Sequence, residues 1–322
     1  MNQLVEQNEE MTGENRRLAT GHFPQAHSLI ISTETTELIQ SSIADSTLKR
    51  YQRLSEQIAA WLGGRVLTDA LLADYCTELH TAGKSPSTIA QVVAAAKWLA
   101  KNHGIEIVGE VTSKTLAGIR RKGKDRGKGQ VDPVAREEML RVVTLAEADK
   151  TIAGLRDAVL IRLMSDCLLR ISEAVAVDVE HLHKSTLLLR SSKTDQEGRG
   201  EVQYVGPPTL KLIDRYMTKA EISRGALFRR IRRGDHVQSE RLTTVSARRI
   251  IQARAKAAGV EGFISGHSLR VGSAVSLAQA GASVVDMQNA GRWKSPQMPA
   301  HYAKAELAER GAVARFFYGK SK

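Results

Sequence analysis

Between Arg120 and Pro133 the run RRKGKDRGKGQVDP interrupts every hydrophobic period in the chain. Glycines and charges so dense cannot bury apolar surface, so the run reads as a flexible basic linker and divides the fold into two bodies. A length of 322 residues fits two domains. Upstream, TLKRYQRLSEQIAAWL carries Leu48, Tyr51, Leu54, Ile58, Trp61 and Leu62 at helical spacing and ends at Gly63 and Gly64. LTDALLADYCTELHTAG repeats the pattern. SPSTIAQVVAAAKWLAKNHG adds Ser85 as N-cap, Pro86 at the first helical position and Gly104 beyond the end. These segments predict an all-α body over 36–119, preceded by a flexible tail over 1–35 that shows no sustained period.

The second body spans 134–322 and is also mainly α. Helical spacing resumes at VAREEMLRVVTLA and runs through TIAGLRDAVLIRLMSDCLLRISEAVAV. The one clear strand signal is STLLLRSSKTD and GEVQYVGPP on either side of the turn-rich KTDQEGRG, an antiparallel hairpin. Helices are expected from there to the end, without internal repeats. The fold class is mainly α with a small antiparallel β element in the C-terminal body.

Charge narrows the partners. The formal net charge is +12 and the isoelectric point about 9.8, which favours polyanions. Lys114, Arg120, Arg121, Lys122, Lys124, Arg126 and Lys128 cluster around the linker, and Arg229, Arg230, Arg232, Arg233, Arg248 and Arg249 form a second basic stretch. A solvated basic face is the bland reading. Clustering of this kind favours phosphate contact, with two basic helical bodies able to close around a duplex. At 42% hydrophobic the chain can build cores, yet no apolar run is long enough to span a bilayer and the polar start does not read as a signal peptide. Cys76 and Cys167 lie inside apolar helical patterns and read as buried thiols of a reducing compartment. The expected location is cytoplasmic, with no membrane partner.

Standard cofactor motifs are missing: no glycine-rich phosphate loop, no Cys-x-x-Cys, no His-Glu-x-x-His. His181 and His183 in HLH suit a strand edge as well as a ligand pair. Nothing calls for ATP, a cofactor or an obligatory metal. What remains is a set of cations and phenols. Arg170, in LLRISE, sits at the margin of a core helix and needs an anionic partner; Glu173 on the same helix face would provide one. Lys193 lies at the hairpin end. His267 and Arg270, in HSLR, share the first turn of a helix, where anions are favoured. Trp293 follows Gly291 in GRW. Tyr302, in HY, could act as a nucleophile if cations lower the cost of its phenolate. Each taken alone has an ordinary structural explanation.

Together, LLRISE at 168–173, Lys193 on a hairpin, HSLR at 267–270, GRW at 291–293 and HY at 301–302 resemble, in order and spacing, the tyrosine recombinases, or phage integrase family. The resemblance covers the chain from about residue 130; the N-terminal helices resemble the family's core-binding domain more weakly. Tryptophan at 293, where many members carry histidine, resembles Cre-like enzymes. The resemblance implies a mainly α catalytic domain and metal- and ATP-independent cleavage and rejoining of DNA through a 3′-phosphotyrosyl link. Tyr302 would be the nucleophile, Arg170 and Arg270 the phosphate clamp, Lys193 the acid for the leaving oxygen, His267 a proton acceptor, Trp293 a phosphate donor and Glu173 an orienting group. It further implies double-stranded DNA with inverted-repeat sites as partner, and a homotetramer on two duplexes joined by exchange of the C-terminal helix, where Val313, Phe316 and Phe317 form an apolar patch. Tyr318 is the rival nucleophile. A non-catalytic DNA-binding protein on the same fold, or a telomere resolvase or type IB topoisomerase, are the competing readings.

Overall fold

The computed structural model describes residues 32–102, 106–126, 131–190, 200–309 and 311–319. Lys128, Lys193 and the tail up to residue 31 lie outside the described residues. The chain forms two compact units, Met1–Gly129 and Gln130–Lys322. No helix among the described residues is long and apolar enough to cross a membrane.

The first unit contains α1 (Thr33–Ser41), α2 (Asp45–Leu62), α3 (Asp69–Thr81), α4 (Pro86–Asn102) and α5 (Glu110–Lys122). Helix α1 takes in the last residues of the expected tail. The apolar stripes meet in a core that includes Ile58, Leu62, Leu72, Cys76, Ile89, Val93 and Ile119. Asp69 joins two helix starts: its carboxylate accepts from the backbone N–H groups of Gly109, Val111 and Thr112 at 2.9–3.1 Å, groups that helix geometry leaves without partners. Helix α5 runs to Lys122, so Arg120, Arg121 and Lys122 form a helix end rather than part of the linker. Arginine and lysine are good helix formers, and cations suit the negative end of the dipole.

The second unit contains α6 (Arg136–Ala148), α7 (Ile152–Asp166), the short α8 (Ile171–Val175), α9 (Pro207–Lys219), α10 (Thr244–Ala257), α11 (Ser268–Gln279), α12 (Val284–Gly291), α13 (Gln297–Tyr302), α14 (Lys304–Glu309) and α15 (Ala312–Tyr318). Strands β1 (Leu182–His183), β2 (Thr186–Leu189) and β3 (Glu201–Tyr204) pair antiparallel in that order. The β2–β3 register, Thr186 opposite Tyr204 through Leu189 opposite Glu201, matches the expected hairpin, whose turn lies outside the described residues. The expected unbroken helices after it are corrected: β4 (Arg229–Arg232) and β5 (His236–Arg241) form a second hairpin. Residues 132–134 belong to this unit as well. The Asp132 carboxylate accepts from the Phe263 N–H at 2.6 Å, and the Val134 N–H donates to the Ser268 carbonyl at 3.1 Å. A Cβ on Gly272 would stand 1.8 Å from the Val134 carbonyl oxygen, so only glycine lets this segment cross α11.

Helix α7 sits at the centre. Its residues 154–161 and 163–165 are all buried, so it is packed on every side, with its buried Arg156 and Asp157 paired to each other at 2.7 Å. Helices α6, α9 and α11 pack around it. Its far end opens onto the site.

Candidate active site

The apolar pattern through SDCLLRISEAV predicts continuous helix, but α7 stops at Asp166. Leu168 adopts a left-handed conformation (φ 48°), its N–H donates to the Ser165 carbonyl at 3.3 Å and the Leu169 N–H to the Met164 carbonyl at 2.9 Å. This is a Schellman ending with leucine where glycine is usual. The carbonyls of Cys167 and Leu168 are thereby left pointing out of a buried helix end. Two arginines satisfy them. Arg270 donates through one terminal nitrogen to the Leu168 carbonyl and through the other to the Gly291 carbonyl. Arg292 donates to the Cys167 carbonyl at 3.1 Å and, at 3.4 Å, to that of Leu168. Guanidiniums are well matched to this end, since unpaired carbonyls and the helix dipole both favour positive charge.

Helix α11 brings the next two groups. His267 stands at its N-cap and Arg270 in its first turn. The Arg270 side chain is fully buried, and its guanidinium carbon lies 4.4 Å from the centroid of the Trp293 ring. Trp293 leans on Tyr302, ring centroids 5.9 Å apart. The Tyr302 hydroxyl is 3.0 Å from His267 Nε2, a hydrogen bond across 35 residues of sequence. A Cβ on Gly291 would meet the Trp293 ring at 1.9 Å, so glycine is needed for this approach.

Arg170 is the N-cap of α8, not a residue within a longer helix as the pattern predicts. The Glu173 carboxylate accepts from the Arg170 backbone N–H at 2.9 Å and from its guanidinium at 2.5 Å. It also accepts from Arg292 at 2.6 Å. Glu173 is buried, and burial alone would raise its pKa. The charge of Arg292, with the bonds from Arg170, outweighs burial and holds the carboxyl below its ordinary 4.5. The folded value lies below the unfolded one, so the stabilisation is present above pH 4.5 and is lost as pH falls through the folded value. We expect Glu173→Gln to lose about 3–5 kcal/mol, because two guanidiniums keep a neutral partner in place of a buried carboxylate. Its urea midpoint should also fall less steeply than the parent's between pH 7 and pH 3. A variant as stable as the parent at pH 7 would refute this.

Burial, Arg270 and Arg170 together lower the pKa of His267 below 6.5, leaving the ring neutral at pH 7. Burial raises the Tyr302 phenol above 10.0, against the opposing pull of Arg270 and Arg170. The expectation that cations would lower the cost of the phenolate is therefore met in sign and overcome by desolvation. The resting group is a phenol hydrogen-bonded to a neutral imidazole. Arg270 itself is driven below its ordinary value, first by burial and then by the like charges of Arg170 and Arg292. An anion placed here would relieve all three cations.

Of the residues singled out from sequence, Arg170, Glu173, His267, Arg270, Trp293 and Tyr302 converge on the end of α7. Tyr318 is exposed on α15, whereas Tyr302 is held by His267. The cations expected on DNA divide. Arg120, Arg121, Lys122, Lys124, Arg230, Arg232, Arg233, Arg248 and Arg249 are exposed. Lys114 pairs with Glu110 at 2.7 Å and Arg126 donates to the His80 carbonyl at 2.6 Å. Arg229 differs from expectation: it donates to the carbonyls of Ala226 at 3.1 Å and Arg224 at 2.6 Å, so it braces its own turn. His181 caps a turn, its Nδ1 accepting from the Asp178 N–H at 3.1 Å. Sequence reasoning missed Arg292, whose only local sign is an arginine between the glycine and the tryptophan of GRW.

Residues 135–309 match the family model of the phage integrase family. An integrase/recombinase xerD homolog of Selenomonas ruminantium is 28% identical over 294 residues, 84% of this chain and 85% of that protein. Recombinase cre of Escherichia phage P1 is 23% identical over 265 residues, 75% of this chain and 77% of that one. A crystal structure of a lambda integrase dimer bound to a core site shares the fold, with a TM-score of 0.59 at 18% identity over 93% of this chain and 84% of the other. With more than half its length inside the family model and Tyr302, His267 and the arginines gathered at one helix end, the chain belongs to the phage integrase family, the tyrosine recombinases.

Proposed function

We propose that this tyrosine recombinase acts on two DNA sites, cutting and rejoining their strands through a covalent link at Tyr302. The observation that carries the reading is the Tyr302 hydroxyl bonded to a neutral His267 at 3.0 Å beside Arg270 and Arg170. Tyr302 Oη attacks phosphorus, its proton passing to His267 Nε2, and the bond from phosphorus to the 5′ oxygen breaks. The leaving oxygen takes a proton, assigned to Lys193 by family resemblance, and departs as a 5′-hydroxyl. A 5′-hydroxyl from the partner strand then attacks the phosphotyrosine, its proton passing to Lys193 while the bond from phosphorus to Tyr302 Oη breaks and His267 returns its proton to that oxygen. One phosphate ester replaces another, so the cycle needs no ATP. Negative charge on the non-bridging oxygens is met by Arg170 and Arg270, with the Trp293 indole N–H as a further donor.

Exposed cations on both units fit a duplex partner with inverted-repeat sites, and the location that follows is the cytoplasm, with the cell's DNA. Helix α15 exposes Val313, Phe317 and Tyr318 (62%, 78% and 76%), a face suited to a second copy and to assembly as a homotetramer on two duplexes. The deciding experiment mixes the protein with pairs of duplexes from the DNA flanking its own gene. Joint products between two sites support recombination. Relaxed circles or hairpin ends would replace it with topoisomerase or resolvase chemistry.

Two further outcomes are expected. Cleavage should fall as pH drops through the His267 value, below 6.5, because a protonated ring cannot accept the phenol proton; single-turnover rates against pH would show this acid limb, and a profile that stays flat down to the pH at which the protein unfolds would remove His267 from that role. DNA affinity should drop about 10³-fold or more between 50 and 200 mM salt if several phosphates are contacted. Arg232→Ala should lower the salt slope by about one; affinity indifferent to salt would contradict the phosphate contacts.

A further inference from the structure

We propose that Arg292 is a positioning residue that fixes both arginines of the phosphate clamp, Arg170 through Glu173 and Arg270 through the carbonyl of Leu168, and ties them to strand β3 through Glu201. The inference rests on the recombinase reading above.

The backbone is the first observation. Arg292 ends α12 in a left-handed conformation, φ 53° and ψ 48°. Glycine is the usual residue at such a helix end, and a side chain there costs about 1–2 kcal/mol. Ending the helix therefore does not explain an arginine. What its side chain does is the second observation. Arg292 is 7% exposed; its guanidinium donates hydrogen bonds to three groups and lies within ion-pair distance of a fourth, Glu201, at an angle that makes no hydrogen bond. It donates to Glu173 at 2.6 Å, to the Cys167 carbonyl at 3.1 Å and to the Leu168 carbonyl at 3.4 Å, and its Nε stands 3.0 Å from a Glu201 carboxylate oxygen. Arg170 uses that same Glu173 carboxylate, and Arg270 the same Leu168 carbonyl.

Each clamp arginine is thus one shared acceptor away from Arg292. Three consecutive residues divide the work around Arg270: the Gly291 carbonyl accepts from it, Arg292 shares its other acceptor, and the Trp293 ring lies against its face. Arg292 also supplies the largest opposing influence that keeps Glu173 ionised despite burial. A protonated Glu173 would hold the Arg170 guanidinium far more weakly. Two non-glycine residues in left-handed backbone, Leu168 and Arg292, face each other here across this network, as expected where local strain is held in place for function. Glu201 lies opposite Leu189 in the β2–β3 pairing, so the network reaches the sheet as well.

The test compares Arg292→Gly, which suits the backbone, and Arg292→Lys with the parent in single-turnover cleavage of nicked duplexes from the DNA flanking the gene. At saturating DNA, Arg292→Gly should cleave about 100-fold more slowly, with half-saturating DNA unchanged within about threefold. Methylguanidinium should restore about tenfold to Arg292→Gly and leave the parent unaffected. Arg292→Lys, which keeps the charge but cannot fork, should fall between. Circular dichroism under assay conditions gives the folded fraction of each variant. Arg292→Gly cleaving within threefold of the parent, or losing activity only in proportion to its unfolded fraction, overturns the proposal. Should Arg292→Gly not fold, a folded Arg292→Lys that cleaves at the parent rate overturns it equally. A parent protein that forms no adduct sinks the recombinase reading and this inference with it; parent adducts alongside an unaffected Arg292→Gly sink this inference alone.

Discussion

Tyr302→Phe should form no covalent adduct with a nicked duplex that traps the parent protein, while folding and DNA affinity stay close to the parent's. The substitution removes one oxygen. The phenyl ring keeps its place against Trp293, 5.9 Å away, and near the imidazole of His267, 6.1 Å away. The lost hydrogen bond to His267 is worth about 1 kcal/mol, and part of that returns because burial of the hydroxyl is no longer needed. What disappears is the nucleophile, and no charge stabilisation by Arg170 and Arg270 can replace a missing attacking atom. The adduct band after denaturation should therefore vanish, a loss of several orders of magnitude in rate. An adduct that persists in Tyr302→Phe would move the nucleophile, with Tyr318 the next phenol to test. No parent adduct on any DNA that the protein binds tightly would favour a non-catalytic DNA-binding role.

The residues that meet at the end of α7 differ sharply in how far the sequence announces them. The helices of the first unit are plain, because Leu48, Tyr51, Leu54, Ile58 and Leu62 repeat at helical spacing and glycines close the segment. Hairpin β2–β3 is also plain: an apolar run, a turn-rich loop and a second β-like run. Hairpin β4–β5 is not. RRIR and HVQSER carry only Ile231 and Val237 as apolar markers, and their register is broken by an irregularity between Arg229 and Ile231. Charge density there masks a strand, and the remaining local sign is the Gly234–Asp235 turn, both residues with positive φ. The break after Asp166 is less visible still. Apolar residues continue straight through Cys167, Leu168 and Leu169, and the turn is held by guanidiniums more than 100 residues away, at Arg270 and Arg292. Local propensity loses to that tertiary pairing. The identities of Arg170, His267, Arg270, Trp293 and Tyr302 were legible only as a set matching a family. Arg292 escaped because it stands at a left-handed helix end, where glycine is the usual residue, and its value comes entirely from what the fold places around it.

Arg270→Lys should be the most damaging substitution that keeps the charge. The parent guanidinium is 0% exposed and holds two carbonyls at once, those of Leu168 and Gly291, with the Trp293 ring against its face. Two of its five N–H groups are spent in that way, and its Nε–H has no protein partner among the described residues. The remaining donors are fixed in one plane, as a phosphate oxygen pair requires. A lysine ammonium is a point donor. It can reach one carbonyl or the phosphate, and whichever it abandons is left buried and unsatisfied, at about 1–3 kcal/mol. Stability should fall by that amount, leaving the variant folded, and DNA binding should change little because the surface cations are untouched. Cleavage should fall about 10²–10³-fold, the usual consequence of removing one preorganised donor from developing negative charge. Arg270→Ala should lose more of both, since the helix end of α7 then keeps only Arg292 of its two cations and the Gly291 carbonyl loses its guanidinium donor. The separation of the three readouts decides the assignment. A folded Arg270→Lys that binds like the parent and cleaves within tenfold of it would leave Arg270 as a strut for α7 and remove it from the phosphate clamp. Loss of cleavage with intact binding would place its guanidinium on the transition state.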